Sequence, residues 1–225
     1  MKRSLVCALA AAAAFALSTS TASAVDLAVW TFQTSVPATS GPHSAEGGVN
    51  AGAGSPASGS HAVGATVYDN PSGNGSTESY SSNNWTTGDY YQFRTSTTGY
   101  NNICIAWSQT RSNTGPSVFD LEWSLTGVGA FTLLSNDYVV LANTAGNGGA
   151  WSSGSHINNY DFACVAAPAA LNNQANVYFR MTSTQTTAAA GTNRVDDVVI
   201  RGDQIPEPAT MGLLALGLLA IRRRK

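Results

Sequence analysis

The chain is poor in charge and lacks several residues on which common functions depend. Charged residues make up 11% of its 225 residues, and residues 25–204 contain five arginines, no lysine and twelve acidic residues. This stretch has a formal charge of −7, which leaves no basic surface for nucleic acid. The chain has three histidines, and none stands in the spaced pair that is typical of a zinc site.

Long apolar runs are also missing from the centre of the chain, and the two longest lie at its ends. Near the N-terminus, two basic residues precede an apolar run at 5–17, and small residues ending at Ala24 follow it. This order is typical of a secretory signal peptide, so we predict that residues 1–24 are removed by cleavage after Ala24. A first transmembrane helix is the alternative, although the run is short for a membrane span.

The C-terminal tail combines three unlike features. Pro206-Glu207-Pro208 comes first, an eleven-residue apolar segment at 211–221 follows, and a basic cluster ends the chain. Eleven helical residues rise about 16 Å, roughly half of a ~30 Å hydrocarbon core. The tail is therefore predicted to hold a membrane weakly, with its basic end on the cytoplasmic side. The basic cluster consists of Arg222, Arg223, Arg224 and Lys225.

The order of these features resembles the PEP-CTERM sorting tail of bacterial surface proteins. The resemblance implies that residues 205–225 are read by an exosortase-like sorting protease. It also implies transient anchoring in the inner membrane of a Gram-negative bacterium, followed by release to the cell surface or extracellular matrix. A simple membrane tail is the alternative. Residues 25–204 remain as one exported domain, which is long enough for a single sizeable core.

The exported domain has an all-β pattern. Gly, Ser, Thr and Asn fill the connections, and no segment keeps a helical apolar period for three turns. About nine predicted strands suggest a single β-sandwich, flanked by an N-terminal signal helix and a short C-terminal apolar helix. The strands are expected at 63–68, 90–95, 103–109, 118–125, 131–134, 137–141, 157–165, 176–182 and 194–201, with one helical turn in 166–173.

Six short motifs, taken in order, resemble a group of PEP-CTERM surface proteins. The exported part of that group is a jelly-roll sandwich of the lectin or carbohydrate-binding-module type. The resemblance covers most of 30–201 and implies this fold, without implying an activity. The motifs are NGS (74–76), SNNW (82–85), GDYYQF (88–93), SNTGP (112–116), NVYFR (176–180) and GTNRVDD (191–197).

Two cysteines remain after removal of the signal peptide, which carries Cys7. Cys104 and Cys164 both lie on strand-like segments. The oxidising compartment favours a disulfide between them. The bridge would close a loop of about sixty residues and stabilise the domain by about 4 kcal/mol. Two buried free thiols are the alternative, because the sequence does not show that the two sulfurs meet.

An acidic pair, Asp196 and Asp197, interrupts the apolar final strand. Strand alternation sends one carboxylate inward, and we predict that it is Asp197. The candidate partners are structural, an ion pair with Arg180 or hydrogen bonds, or else a structural calcium ion that Glu46 also binds. The resemblance to jelly-roll binding modules implies calcium in a similar place. No other cofactor is expected.

Aromatic residues in loop-like segments are candidates for binding sugar. Trp85 and Trp151 lie among Asn, Ser and Gly residues, and aromatic rings stack on the C–H faces of sugars. The alternative is that both residues only cover the ends of the sandwich. Trp107 and Trp123 are predicted to lie in the core.

No catalytic residue is predicted. A nucleophile elbow of the Gly-x-Ser-x-Gly type has no suitable strand–helix context here, and Asp120 and Glu122 follow the pattern of a solvated sheet face. The sequence therefore predicts a non-enzymatic surface or matrix protein that binds polysaccharide. The alternatives are an extracellular hydrolase of glycans or esters, and a structural coat protein without a ligand.

Overall fold

The computed structural model describes residues 24–205, which fold into two antiparallel β-sheets. Residues 1–23 of the predicted signal peptide, the sorting residues at 206–225 and the helices expected at both ends lie outside the described residues. The strands are β1 (Ala24–Trp30), β2 (His43–Ala45), β3 (Gly52–Ser60), β4 (Tyr68–Asp69), β5 (Tyr80–Ser82), β6 (Tyr90–Thr95), β7 (Tyr100–Arg111), β8 (Val118–Ser124), β9 (Thr132–Val139), β10 (Asp161–Ala166), β11 (Val177–Ser183) and β12 (Asn193–Gln204).

Each sheet contains six strands. Sheet A has the spatial order β10-β7-β12-β5-β4, and β1 pairs with the C-terminal half of β12 on the same side as β5. Sheet B has the order β2-β3-β6-β11-β8-β9. The all-β, two-sheet prediction is therefore confirmed. Within residues 24–205, the helical elements are three 3₁₀ turns, and no helix is long and apolar enough to cross a bilayer.

The core lies between the sheets, and alternation along the strands builds it. In β6, Tyr91 and Phe93 are buried while their neighbours are partly exposed, as the sequence predicts. The same two-residue period buries Leu121 in β8, and Phe179 and Met181 in β11. Trp107 also lies in the core, and the partly buried Trp123 packs against this core.

Several strand boundaries differ from the prediction. Most of 63–68 is not a strand, and 158–160 forms a 3₁₀ turn ahead of β10. A single strand, β9, takes the place of the two strands expected at 131–134 and 137–141, and it ends at Val139. Strand β3 was not predicted, because its sequence GAGSPASGS has no hydrophobic alternation. It is held by pairing with β2 and β6. The turn expected in 166–173 is present at Ala169–Leu171.

A disulfide joins Cys104 in β7 to Cys164 in β10. The two strands are neighbours at one edge of sheet A, and the Cα atoms lie 5.4 Å apart. This separation is ordinary for a disulfide. Of the two alternatives left open by the sequence, the structure contains the bridge.

Candidate functional site

The outer face of sheet A is covered by two loops, residues 70–78 and residues 142–160, which we call the cover loops. They contact each other where the backbone N–H of Gly75 donates to the carbonyl of Ser152, at 3.0 Å. The first loop passes so close to the sheet that a Cβ atom on Gly73 would lie 2.0 Å from Oδ2 of Asp196. Glycine is therefore required at position 73 by the close approach of the backbone.

Asp196 is completely buried beneath the first cover loop, where a carboxylate needs hydrogen-bond donors. Its Oδ2 accepts hydrogen bonds from the N–H of Asn74 (2.9 Å) and the hydroxyl of Ser76 (2.7 Å), and its Oδ1 accepts one from the N–H of Asp197 (2.8 Å). Burial first, and the charge of Asp197 second, raise the pKa of Asp196 to about 7 despite these bonds. This carboxyl group therefore changes charge near neutral pH.

The prediction that Asp197 is the inward acid is wrong. Asp197 has a positive φ of 49°, and the register between β12 and β7 shifts between Asp196 and Val199. Such a bulge inserts an extra residue and moves the alternation by one position. Val195 and Val198 therefore both face the core, while Asp197 is left partly exposed on the outer side.

The side chain of Asn74 connects the two cover loops to the sheet. Its Nδ2 donates to Oγ of Ser108 (3.2 Å), to the carbonyl of Ile157 (3.2 Å) and to Oδ1 of Asp161 (3.3 Å). Its Oδ1 accepts from the N–H of Ile157 (2.8 Å), and its carbonyl lies 3.0 Å from Nδ1 of His156. One amide side chain thus holds both loops in place.

A histidine and two acids lie at the exposed edge of this network. Nε2 of His156 is 2.8 Å from Oδ2 of Asp161, and its Nδ1 is 3.7 Å from Oδ2 of Asp197. The hydrogen bond with Asp161 is the main reason why the pKa of His156 is raised. Burial raises the pKa of Asp197, and the charge of His156 opposes that shift.

A polar cleft of about 410 Å³ opens on the same face of sheet A. Its floor crosses three strands, because Asp69 in β4 pairs with Ser81 in β5, which pairs with Arg194 in β12. The volume is within the range of about 300–1,000 Å³ that small-molecule sites occupy. The polar groups on its walls include Asp69, Arg111, Asn113, Asn143, Thr192 and Arg194.

Both arginines of the cleft are oriented by backbone carbonyls. Nε of Arg111 donates to the carbonyl of Val140, and its Nη1 donates to those of Ser112 and Asn113, each at 3.1 Å. Nη1 of Arg194 donates to the carbonyl of Ser72 at 2.9 Å. Among residues 24–205, neither guanidinium forms a salt bridge with a carboxylate. Burial lowers the pKa of Arg194.

Neither of the two tryptophans offered as sugar-binding candidates, Trp85 and Trp151, exposes its ring to solvent. Trp85 is fully buried in the core, with its ring centroid 5.0 Å from that of Tyr91 and 5.4 Å from that of Phe119. Trp151 is 5% exposed and lies behind the cleft, with the guanidinium of Arg194 5.1 Å from its ring centroid. The prediction that both rings stack on sugar is therefore wrong in this structure, because neither ring is accessible.

The suggested partners of the acidic pair lie elsewhere. Arg180 is on sheet B, where its guanidinium lies 3.8 Å from the ring centroid of Tyr90 and 3.7 Å from that of Phe131. The prediction of an Arg180 ion pair is therefore wrong. No three His, Cys, Asp or Glu side chains form a metal-binding group in the described part of the chain. Calcium at Asp196 and Asp197 stays a prediction.

Glu46 belongs to a separate network near the start of the domain. Its Oε1 accepts from the N–H groups of Thr34 (2.7 Å) and Ser35 (2.6 Å), and its Oε2 accepts from the N–H of Gln33 (3.0 Å) and the hydroxyl of Thr31. Burial opposes ionisation, but these bonds outweigh it and lower the pKa of Glu46. Its oxygens thus satisfy a loop of the backbone, and it does not join the aspartate pair.

The comparisons with known proteins define an exported class and leave the cleft unexplained. Residues 204–225 match the PEP-CTERM protein-sorting motif, so the sorting tail predicted from the sequence is confirmed. This motif implies an exported surface protein. No curated protein matches the chain.

Two adhesin domains are among the solved structures that resemble the chain. The K2 cleaved adhesin domain of Lys-gingipain aligns with a TM-score of 0.44 and 15% identity, covering 76% of this chain and 96% of its own. The K1 cleaved adhesin domain of Lys-gingipain from Porphyromonas gingivalis W83 aligns with a TM-score of 0.42 and 15% identity, covering 69% and 94%. Both TM-scores are below 0.5, so these similarities carry no argument about function.

Proposed function

We propose that this protein is a non-enzymatic component of the cell surface or extracellular matrix that binds polysaccharide in the cleft of sheet A. The cleft is the observation that carries the proposal. It presents two guanidinium groups, two amides, a carboxylate and hydroxyl groups in one concave site. Such groups bind sugar hydroxyls through hydrogen bonds.

The proposed fold of the exported domain is a jelly roll. Sheet A contains the order β5-β12-β7-β10, with β1 beside β5, and sheet B contains the order β6-β11-β8-β9. The chain passes from one sheet to the other at most steps between these strands. Two four-stranded sheets that exchange the chain in this way are the arrangement of two interlocked Greek keys. Strands β2 and β3 then extend the second sheet at the edge next to β6.

A role without catalysis is supported by the composition of the cleft. Among the described residues that line it, Asp69 is the one carboxylate. Glycoside hydrolysis commonly requires two facing carboxylates, one on each side of the scissile bond. Turnover of a polysaccharide or ester by the purified protein would instead support the hydrolase alternative.

Glycan-array binding by the exported protein tests the location of the site. Asn113 is an exposed residue on the cleft wall, and Asn113→Trp would fill the cleft without changing its charge. Asn136→Trp, at an exposed position on β9 in sheet B, is the matched control. We expect Asn113→Trp to abolish binding and Asn136→Trp to leave it intact. Absence of binding by the unmodified protein would favour the structural coat alternative.

The sorting tail is proposed to hold the protein transiently in the inner membrane until an exosortase-like protease cleaves it. The match of residues 204–225 to the sorting motif supports this route. We expect Glu207→Ala to block processing, while the native chain on the cell surface lacks its terminal Arg222–Lys225 cluster. Mass spectrometry of the mature C-terminus measures this directly. An intact Lys225 on the surface form contradicts the proposal.

A further inference from the structure

The charge of the cleft is opposite to the charge of the domain around it. Residues 25–204 have five arginines against twelve acidic residues, a formal charge of −7. Two of those five arginines, Arg111 and Arg194, line this single cleft, with Asp69 as the one acid on its walls. The cleft therefore has a local charge of +1 in a domain that otherwise repels anions.

Both guanidinium groups have donors left for a ligand. Each guanidinium carries five N–H donors. Arg111 uses Nε and Nη1 to donate to the carbonyls that orient it, and Arg194 uses Nη1. Neither has a carboxylate partner within residues 24–205. The charges of Asp69 and Asp196 act on Arg194 without a salt bridge and oppose the cost of burying its guanidinium. An anionic ligand group in direct contact with the guanidinium offsets more of that cost.

The position of Arg194 is fixed before any ligand binds. Its guanidinium lies 5.1 Å from the ring centroid of Trp151, and the backbone N–H of Trp151 donates to Oδ1 of Asn143, which also lines the cleft, at 2.7 Å. The carbonyl of Ser72 holds its Nη1 from the side. An oriented guanidinium binds planar anionic groups with two parallel hydrogen bonds and a small loss of side-chain entropy.

We propose that the cleft selects a negatively charged sugar unit of an acidic polysaccharide, with the anionic group bound by Arg111 and Arg194 and the hydroxyls bound by the amides. This inference rests on the proposed function, because it names the class of polysaccharide that the same cleft takes. The anionic group is either a carboxylate, as in a uronic acid, or a sulfate ester, and both suit the guanidinium donors.

Isothermal titration calorimetry with three oligosaccharides of equal length tests the proposal. They are an oligouronate, a sulfated oligohexose and a neutral oligohexose. We expect at least one charged ligand to bind tenfold or more tightly than the neutral one, with an affinity that falls as salt is raised. The charged ligand that binds identifies the anionic group. Equal affinity for all three overturns the selectivity for anions but leaves polysaccharide binding in place. Absence of binding to all three and to the glycan array overturns both.

Two arginine-to-glutamine variants, one in the cleft and one outside it, test whether the preference for the charged ligand comes from the cleft. Arg194→Gln should weaken binding of the charged ligand about 10- to 100-fold, since it removes charge-assisted hydrogen bonds. Arg94→Gln makes the same change on β6 of sheet B and should have no effect. Equal losses in both variants would show that the net charge of the domain, not the cleft, drives binding, and would overturn the proposal.

An isosteric variant keeps the test valid if Arg194→Gln fails to fold. Asn143→Asp adds a negative charge to the cleft and retains an acceptor for the N–H of Trp151. Asn176→Asp is the matched control, since Oδ1 of Asn176 accepts from Arg94 away from the cleft and a carboxylate keeps that bond. We expect Asn143→Asp to weaken binding of the charged ligand tenfold or more and to change binding of the neutral ligand little. Unchanged binding of the charged ligand to Asn143→Asp contradicts the proposal.

Discussion

The two outer faces of the sandwich treat charged side chains differently. On sheet B, charged residues stay partly exposed and are satisfied by neighbours on adjacent strands, as when Thr182 donates to Glu122 at 2.7 Å. On sheet A, Asp196 is fully buried under a loop that brings its donors to it. Burial of a charged group thus depends on a cover that is long enough to supply hydrogen bonds, and the cleft forms beside that cover.

Sheet A also contains the disulfide, and its removal has the largest expected effect on the free energy of unfolding. The Cys104–Cys164 bridge closes a loop with a sequence separation of 60 residues, for which the chain-entropy model gives about 4 kcal/mol. We expect a Cys104→Ser/Cys164→Ser variant to unfold at a correspondingly lower denaturant concentration. Thiol labelling of the denatured, unreduced native protein should find no free thiol. Two labelled cysteines per chain would contradict the bridge.

Removal of the buried carboxyl group tests whether the cover loop depends on it. Asp196→Ala leaves the backbone N–H groups of Asn74 and Asp197 without an acceptor, while the hydroxyl of Ser76 keeps the carbonyl of Glu78. We therefore expect the free energy of unfolding at pH 6 to fall by about 3 kcal/mol. Urea denaturation measures this change. Asp197→Ala is the control at the exposed position, and its expected loss is under about 1 kcal/mol. A larger loss for Asp197→Ala would restore the assignment made from strand alternation.

Overpacking under the cover loop sharpens the same comparison. A Cβ atom at position 73 would meet Asp196 and Oγ of Ser76 at 2.0 and 2.1 Å, so Gly73→Ala should destabilise the domain by about 2 kcal/mol. Gly54→Ala is the control, since nothing lies within 4 Å of its added Cβ. We expect thermal melting to show a loss for Gly73→Ala and a change within about 0.5 kcal/mol for Gly54→Ala. Equal stability of the two variants would mean that the loop is loosely held.

The stability of the domain should fall as pH rises because of the carboxyl group buried under the cover loop, by up to about 1.4 kcal/mol per pH unit. The folded pKa of Asp196, about 7, lies above its unfolded value of about 3.9. Between these values the folded state holds a proton that the unfolded state lacks, so stability falls as pH rises from 4 to 7. The raised pKa values of Asp197 and His156 act in the same direction. Melting temperatures should therefore fall between pH 5 and 8, and less steeply in Asp196→Asn. An identical slope in that variant would contradict the assignment.

The strands that face the core on one side could be predicted from the sequence, and the covered face could not. Alternation in β6 and β8 is visible in the sequence, because a two-residue apolar period is a local signal. The strand at β11 was predicted without its buried residues. Strand β3 has no such period. Asp197 was assigned to the core face because the positive φ of Asp197, which shifts the alternation, leaves no mark in the residue types.

The residues of the candidate site were missed because they are distant in sequence. Asp69, Arg111, Asn143 and Arg194 come from two strand ends, a loop and the start of β12. Each is ordinary in its own segment, and pairing across sheet A brings them together. The scarcity of cations was the available signal: a domain with five arginines and no lysine has few positions at which an anion can bind. The aromatic signal misled, since Asn and Ser around Trp85 indicate a loop but say nothing about which way the ring points.

The pairing of β1 with β12 places both ends of the described chain at one end of the domain and the cleft near the other end. Ala24 pairs with Asp203, and Ile205 follows directly, so both ends of the described chain leave the sandwich at one pole. Arg194 lies nine residues before Asp203 on the same strand, roughly 30 Å away at about 3.3 Å per residue. A protein held through either end of this domain therefore carries its cleft near the end of the domain that is farthest from the point of attachment.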